Sequence, residues 1–507
     1  MKTITKIILA VAITFSFSLL TINRVSAQDA EYQLIRRSYT VNNDGTVDIR
    51  YRKEIKLIRN RAITAYADKG ETFILYNPAI DQLTINESYT IRPDGSHVQT
   101  PSNAFVDQLP SQCQDCGRYN SIRERAVIHT ALEYNCIVVL DYTIHRKTPY
   151  LNEQLILSED CPVKKYEVIF DVNANQQDGN YGFEPQNLPK SHKYLKNQSK
   201  SWYLVLNDLP QTFSDSYLPS PFQMYPSVKI FFGRQPSLAD FSAPLPVADN
   251  VLMELFENDK SKYLTNIRDY VVDNIKTNDI PPSLLAYSTS SPQETFLSAC
   301  GTPSDKDILL AAMLHQAGFK VTCEDTRFFV SLNEKSSEVK YRISASSKAP
   351  LRPEGAAIDE QRIIDVNEML PWQGSSIGGG YSTMSLPKTD GSISIDPARL
   401  TSDRKAPLRV RNCNEKYKYS IALPRTPKRV LVGEPVNINY TKKGVGSIKI
   451  SISQERPGAG IEVIRELSID VEDGIVKPEQ YKAFRQLMQD WNLYQTITIK
   501  SENQSHK

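Results

Sequence analysis

The chain has 507 residues, too many for one hydrophobic core, and a length of this order points to about three domains. Its 40% hydrophobic and 23% charged content is that of folded domains and excludes a disordered polar chain. The formal net charge is +2 and becomes −1 when Lys2, Lys6 and Arg24 are set aside with an N-terminal leader, a balance that argues against nucleic acid as a partner.

Residues 1–27 read as a secretory signal peptide. Lys2 and Lys6 supply the basic start, residues 7–22 the apolar run, and Val25-Ser26-Ala27 a small-residue cleavage site. The rival reading is a retained anchor. Thr14, Ser16, Ser18 and Thr21 weaken the run, which is short for a membrane span. The residue after the cut is Gln28, so a lipid-accepting cysteine is missing. With no second run of spanning length, the mature chain is expected to be exported, periplasmic or extracellular, with no transmembrane segment after cleavage.

Strand-like patterns occupy residues 31–232. Val47, Ile49 and Tyr51 alternate with polar residues after an Asn43-Asp44-Gly45 turn, which reads as a hairpin. A second hairpin turn lies at Arg92-Pro93-Asp94-Gly95. Residues 136–145, 166–172 and 202–206 add further strands, so an antiparallel β domain is expected over 28–245.

Helical spacing takes over at Val251, Leu252, Leu255 and Phe256, then Leu264, Ile267, Val271 and Ile275, with Asp249 or Asn250 as a cap. It stops before Pro281-Pro282. A helix over 303–317 follows, then strands over 327–332 and 339–345. This makes an α+β domain over 246–370. A Gly- and Ser-rich passage at 374–385 precedes strands at 436–440, 448–453, 461–469 and 496–500. A helix over 478–491 begins with proline and places Tyr481, Phe484, Leu487, Met488 and Trp491 on one face, as a core-packing stripe. Residues 371–507 form a β-sandwich-like domain in this reading, completing a multi-domain α+β protein.

Seven cysteines lie at 113, 116, 136, 161, 300, 323 and 413, and the odd number leaves at least one thiol unpaired or paired between chains. Cys113 and Cys116 have CxxC spacing but sit among polar residues between Pro110 and Gly117. A zinc ribbon needs a second such pair. The expectation is a local Cys113–Cys116 disulfide or two free thiols.

The stretch Cys300-Gly301-Thr302-Pro303-Ser304-Asp305, continued by Leu309, Leu310, Leu314 and Gly318, resembles the transglutaminase-like, papain-related superfamily. There a cysteine nucleophile stands at a helix N-terminus. Pro303 occupies that position here. Residues 31–235 resemble the extracytoplasmic domain of unknown function that precedes such domains in exported bacterial proteins. Asn43-Asp44-Gly45-Thr46, Ile91-Arg92-Pro93-Asp94-Gly95, residues 125–132 and Asp141-Tyr142-Thr143-Ile144 carry this second resemblance. The tail is similar to the C-terminal β domain that closes the same architecture.

A thiolate at a helix start is stabilised by unpaired N–H groups and the helix dipole. A histidine on a following strand takes its proton, and an acid on the next orients that histidine. The resemblance places the base near residues 326–329, where Arg327 and no histidine is found, and the acid at Ser344. Of the six histidines, at 97, 129, 145, 192, 315 and 506, only the last two follow the motif. His315 is roughly 18 Å along the helix from its start.

Thr302-Pro303-Ser304-Asp305 reads instead as a helix cap. No catalytic residue is therefore expected, only a degenerate site around Cys300, Pro303, Ser304, Arg327 and Ser344. No cofactor or metal is expected either: Gly378-Gly379-Gly380 lacks the Lys-Ser/Thr of a phosphate loop, and residues 470–473 lack calcium-loop spacing. Ser394-Ile395-Asp396-Pro397 reads as the start of a turn.

The favoured function is that of an inactive transglutaminase-like protein that binds or scaffolds a protein, peptide or glycan at the cell envelope. One alternative is a thiol enzyme, a cysteine peptidase or acyl transferase, using Cys300 with a histidine from the N-terminal domain. Another is a glycan-binding β-domain protein using some of the 26 tyrosines.

Overall fold

The computed structural model describes residues 29–69, 73–173, 180–197, 200–334, 337–348, 351–353, 361–387, 400, 404–423, 429–432, 436–456 and 459–502. The leader at 1–27, His506 and the Asp396-Pro397 turn lie outside these residues. The chain divides into two compact units. The first takes in the described residues up to Thr212 and those from Tyr225 to Glu354. The second takes in Phe213–Met224 and the described residues from Gly355 on.

In the first unit, Ala30–Val41 and Val47–Leu57 form the expected hairpin, with Asn42 N donating to Thr46 O at 2.9 Å. Asp44 Oδ1 accepts from Thr46 N at 3.0 Å and holds the turn. The hairpin is the middle of an eight-stranded sheet. Its order is Lys193–Asn197, Ser201–Leu209, Val163–Val172, Ala30–Val41, Val47–Leu57, Ile137–Arg146, Asp81–Ile91 and His97–Gln99.

The sheet is mixed rather than antiparallel, because Ala30–Val41 pairs in parallel with Val163–Val172. Alternation along a strand reports which face is buried, and carries no information about a partner more than a hundred residues away. The buried face, with Ile35, Val138, Val168, Phe170 and Leu204, joins Leu155, Val228 and Ile230 of a three-stranded sheet in one apolar core.

Residues 249–275 form two helices, Asp249–Glu254 and Lys260–Asn274. The first is preceded by Ala248 with no side-chain cap, so neither Asp249 nor Asn250 caps it. The second is capped by Asp259, which accepts from Ser261 N at 2.9 Å and from Lys262 N at 3.3 Å. That cap falls in the gap between Phe256 and Leu264, where the helical spacing lapses. Pro292–Ser298 and Pro303–Gln316 follow. Ile308, Leu309, Leu310, Ala311, Ala312, Met313 and Leu314 are all buried, against Leu264, Ile267 and Val271 on one side and Phe328, Val330 and Ile343 on the other. A helix apolar on every side is stable only when enclosed in this way. Lys320–Glu324, Arg327–Glu334 and Ser337–Ile343 form the antiparallel sheet that encloses it.

In the second unit, Gln361–Pro371 pairs in parallel with Asn412–Ala422, so the sheet of this unit begins before residue 371. The glycine-rich passage is a hairpin of Ser375–Gly378 and Tyr381–Ser385. Pro478–Leu493 buries Tyr481, Phe484, Leu487, Met488 and Trp491 against residues of both larger sheets. Among the described residues, no helix is long and apolar enough to cross a membrane.

Candidate functional site

The motif helix starts as its sequence dictates. Thr302 Oγ1 accepts from Asp305 N at 3.2 Å, and Asp305 Oδ2 accepts from Thr302 N at 2.9 Å. This reciprocal cap satisfies two backbone donors that would otherwise be unpaired. Pro303, in the first turn, loses nothing by lacking an N–H. Asp305 has two further donors, Ser290 N at 2.7 Å and Tyr119 OH at 3.2 Å. Burial and the neighbouring Asp305 push the Tyr119 phenol up to about 12. Gly301 is required by close approach: a Cβ there would lie 2.9 Å from Asp305 Cβ and 3.1 Å from Thr295 Cγ2. Gly318 ends the helix with φ at +83°, which favours glycine.

Cys300 is buried in a short strand, Cys300–Gly301, paired in parallel with Lys276–Thr277. Its sulfur is bonded to Cys116, 184 residues away, with the Cα atoms 6.1 Å apart. Neither expectation, a local Cys113–Cys116 bond or two free thiols, describes the pair: Cys116 is in a long-range bond and Cys113 is free. Cys113 is a free, buried thiol whose pKa is raised by burial, with a smaller contribution from Glu124. Spacing within the CxxC segment could not reveal a third cysteine brought to it by folding. Cys300 in this state has no thiol to offer as a nucleophile.

Pro303 and Ser304 are exposed at the helix start. Arg327 is exposed at the beginning of its strand, behind a tight turn with positive φ at Asp325 and Thr326. Ser344 follows the next strand and reaches the helix. Its Oγ donates to Asp307 Oδ1 at 3.1 Å, and Ala345 N donates to the same oxygen at 2.6 Å. Arg327 and Ser344 each lie one residue beyond the paired Phe328 and Ile343. The fold thus brings Ser344 to the second turn of the helix through Asp307, while Arg327 stays on the surface.

Two polar residues of the helix were not singled out by the sequence. Burial raises the Asp307 carboxyl, and the hydrogen bonds from Ala345 and Ser344 oppose that rise. Lys306 is buried and donates to Ile275 O at 2.7 Å and Thr277 Oγ1 at 3.0 Å, with its pKa lowered by burial. Two further charges directly after Asp305, ahead of the apolar run from Ile308 to Leu314, were the available signal. Both side chains tie the helix start to neighbouring backbone and hydroxyl groups.

None of the described histidines contacts this site. His97 stacks on Tyr89, His129 meets Thr100, His145 pairs with Asp48, His192 bonds Pro189 O, and His315 lies edge-on to Phe241. Donation of a base from the N-terminal domain therefore has no geometric counterpart here. Among the described residues, no group of three or more His, Cys, Asp or Glu could hold a metal ion.

Residues 43–212 match the family described as "Domain of Unknown Function with solved-structure structure (DUF3857)", and residues 383–499 the corresponding DUF3858 family. No curated protein matches the chain. The crystal structure of a "putative protease" from Parabacteroides distasonis ATCC 8503 superposes with a TM-score of 0.68 at 22% identity, covering 94% of this chain and 100% of that one. A "putative cysteine protease" from Cytophaga hutchinsonii, at 13% identity over 40% of this chain and 78% of its own, has a TM-score of 0.17, too low to carry an argument. The chain is similar to DUF3857 and DUF3858 proteins over two separate segments, and along nearly its whole length it has the fold of the Parabacteroides protein.

Proposed function

We propose that this is an exported protein whose central part is a transglutaminase-like pseudoenzyme, acting by binding or scaffolding a protein, peptide or glycan at the cell envelope. The observation that carries the reading is the composition of the helix start. Pro303 stands where the superfamily has its nucleophile, and the Asp305 carboxylate is committed to the cap and to two further donors, Ser290 N and Tyr119 OH. The sulfur of Cys300 is bonded to Cys116. A nucleophile, a base within hydrogen-bond reach and an orienting group are the minimum for acyl transfer. Here Ser344 and Asp307 contact each other without an imidazole.

Two features support export. Residues 1–27 have the basic, apolar and small-residue order of a secretory signal, and a buried disulfide fits an oxidising compartment.

Purified protein beginning at Gln28 should release no product from a casein digest and incorporate no amine into a glutamine-bearing peptide. Activity that persists in Cys116→Ala, which frees Cys300, but is lost in Cys300→Ala would overturn the pseudoenzyme reading and establish a thiol enzyme.

A further inference from the structure

Three cysteines, not two, meet beside the motif helix. Cys113, Cys116 and Cys300 belong to one small apolar cluster with Tyr119, Ile122, Ile280 and Leu284, and all three are buried. Two are joined and the third is a thiol. Cys116 belongs to both possible pairs: it is bonded to Cys300 across 184 residues and stands three residues from Cys113 in a CxxC segment.

The loop carrying the pair is held in place by more than the disulfide. Lys276 Nζ donates to Gln114 O at 2.9 Å and pairs with Asp115 at 3.1 Å, and Asn278 Nδ2 donates to Gln112 O at 2.8 Å. Lys276 is the residue paired with Cys300 in the short parallel strand. These bonds hold the backbone of residues 112–115 against the Cys300 strand whichever sulfur Cys116 engages. Asp115, with φ at 61°, turns the chain between the two cysteines.

We propose that Cys113, Cys116 and Cys300 form an intramolecular thiol–disulfide exchange site. Cys113 gives its proton to solvent base, and its thiolate attacks Cys116 Sγ. The Cys113–Cys116 bond forms and the Cys116–Cys300 bond breaks. The electron pair leaves on Cys300 Sγ, which takes up a proton. One disulfide and one thiol are present before and after, so no oxidant or reductant is consumed. The product is a Cys300 thiol three residues ahead of Pro303. Burial, which keeps the Cys113 thiol protonated, makes the step slow at neutral pH and faster at alkaline pH. The proposal goes beyond the pseudoenzyme reading and does not depend on it, because the released thiol needs no catalytic base.

The test is native trapping of the full mature chain with excess N-ethylmaleimide at pH 7 and pH 8, an acid quench, peptic digestion and peptide mass mapping. At the outset Cys113 is the only thiol of the three. The expected product carries maleimide on Cys300 with Cys113 and Cys116 joined, and it appears about tenfold faster at pH 8, following the thiolate fraction. Cys113→Ser, which leaves the native disulfide intact, should abolish it. Label confined to Cys113, label on none of the three, or equal Cys300 labelling in Cys113→Ser each overturns the proposal. An activity assay is not involved, so this failure and that of the pseudoenzyme reading are separately visible.

Discussion

The helix start and the surroundings of His129 are both buried polar regions of the first unit, and they are built to opposite standards. At the helix start each carboxylate oxygen of Asp305 has donors, Lys306 has two acceptors and Cys300 is cross-linked. At His129 the hydrogen-bond chain runs from Ser88 Oγ to Thr100 Oγ1 to the ring Nδ1, at 2.8 and 3.2 Å, and the buried Nε2 has no partner. With Nδ1 assigned as the acceptor in this chain, the orphan is an N–H. Burial, and secondarily the positive charge of Lys53, lowers the pKa of His129 to about 4. A fully matched polar cluster is a structural joint, whereas a half-matched one responds to its surroundings.

The largest test of this contrast is to break the joint. Cys116→Ser or Cys300→Ser releases a loop of 184 residues from the unfolded ensemble's constraint and should cost about 5 kcal/mol, read by urea unfolding against the oxidised parent.

Next in size is acid titration of His129. Its folded pKa of about 4 lies below the ordinary value of 6.5. Below pH 6.5 the unfolded chain takes up a proton that the folded chain refuses until about pH 4. Stability is therefore complete above pH 6.5 and falls by about 3 kcal/mol on acidification to pH 4. Unfolding of His129→Gln over the same range should lack that component, and a parallel loss in both proteins would refute the assignment.

Asp305→Asn should destabilise by about 2 kcal/mol, because the amide presents a donor to Ser290 N or to Thr302 N. Thr302→Ala should cost about 1 kcal/mol through the lost cap. Exposed Ser304, placed where a catalytic hydroxyl could be imagined, should tolerate alanine within about 0.5 kcal/mol. A larger loss at Ser304 than at Thr302 in thermal melts would reverse the reading of the helix start as structural.

Much of the architecture was legible along the chain. The Asn43-Asp44-Gly45 and Asp94-Gly95 hairpins, the helix Pro303–Gln316 and the buried stripe of Pro478–Leu493 all stand where turn chemistry and periodicity placed them. The break between Glu254 and Lys260 could have been read from the lapse in apolar spacing between Phe256 and Leu264, where the Asp259 cap falls. At the candidate site, the cap of Thr302 and Asp305 could be read from four adjacent residues. The roles of Lys306 and Asp307 could not, since their partners Ile275, Thr277, Ser344 and Ala345 come from other segments.

Caps, turns and helical faces depend on residues within about four positions of one another, so the sequence alone determined where the motif helix begins and that proline holds its first position. The joining of Cys116 to Cys300 rather than Cys113, the parallel pairing of Ala30–Val41 with Val163–Val172, and the meeting of Tyr119 with Asp305 were decided only in the tertiary structure. Each joins segments more than a hundred residues apart, and local preference is silent about which distant segment will arrive.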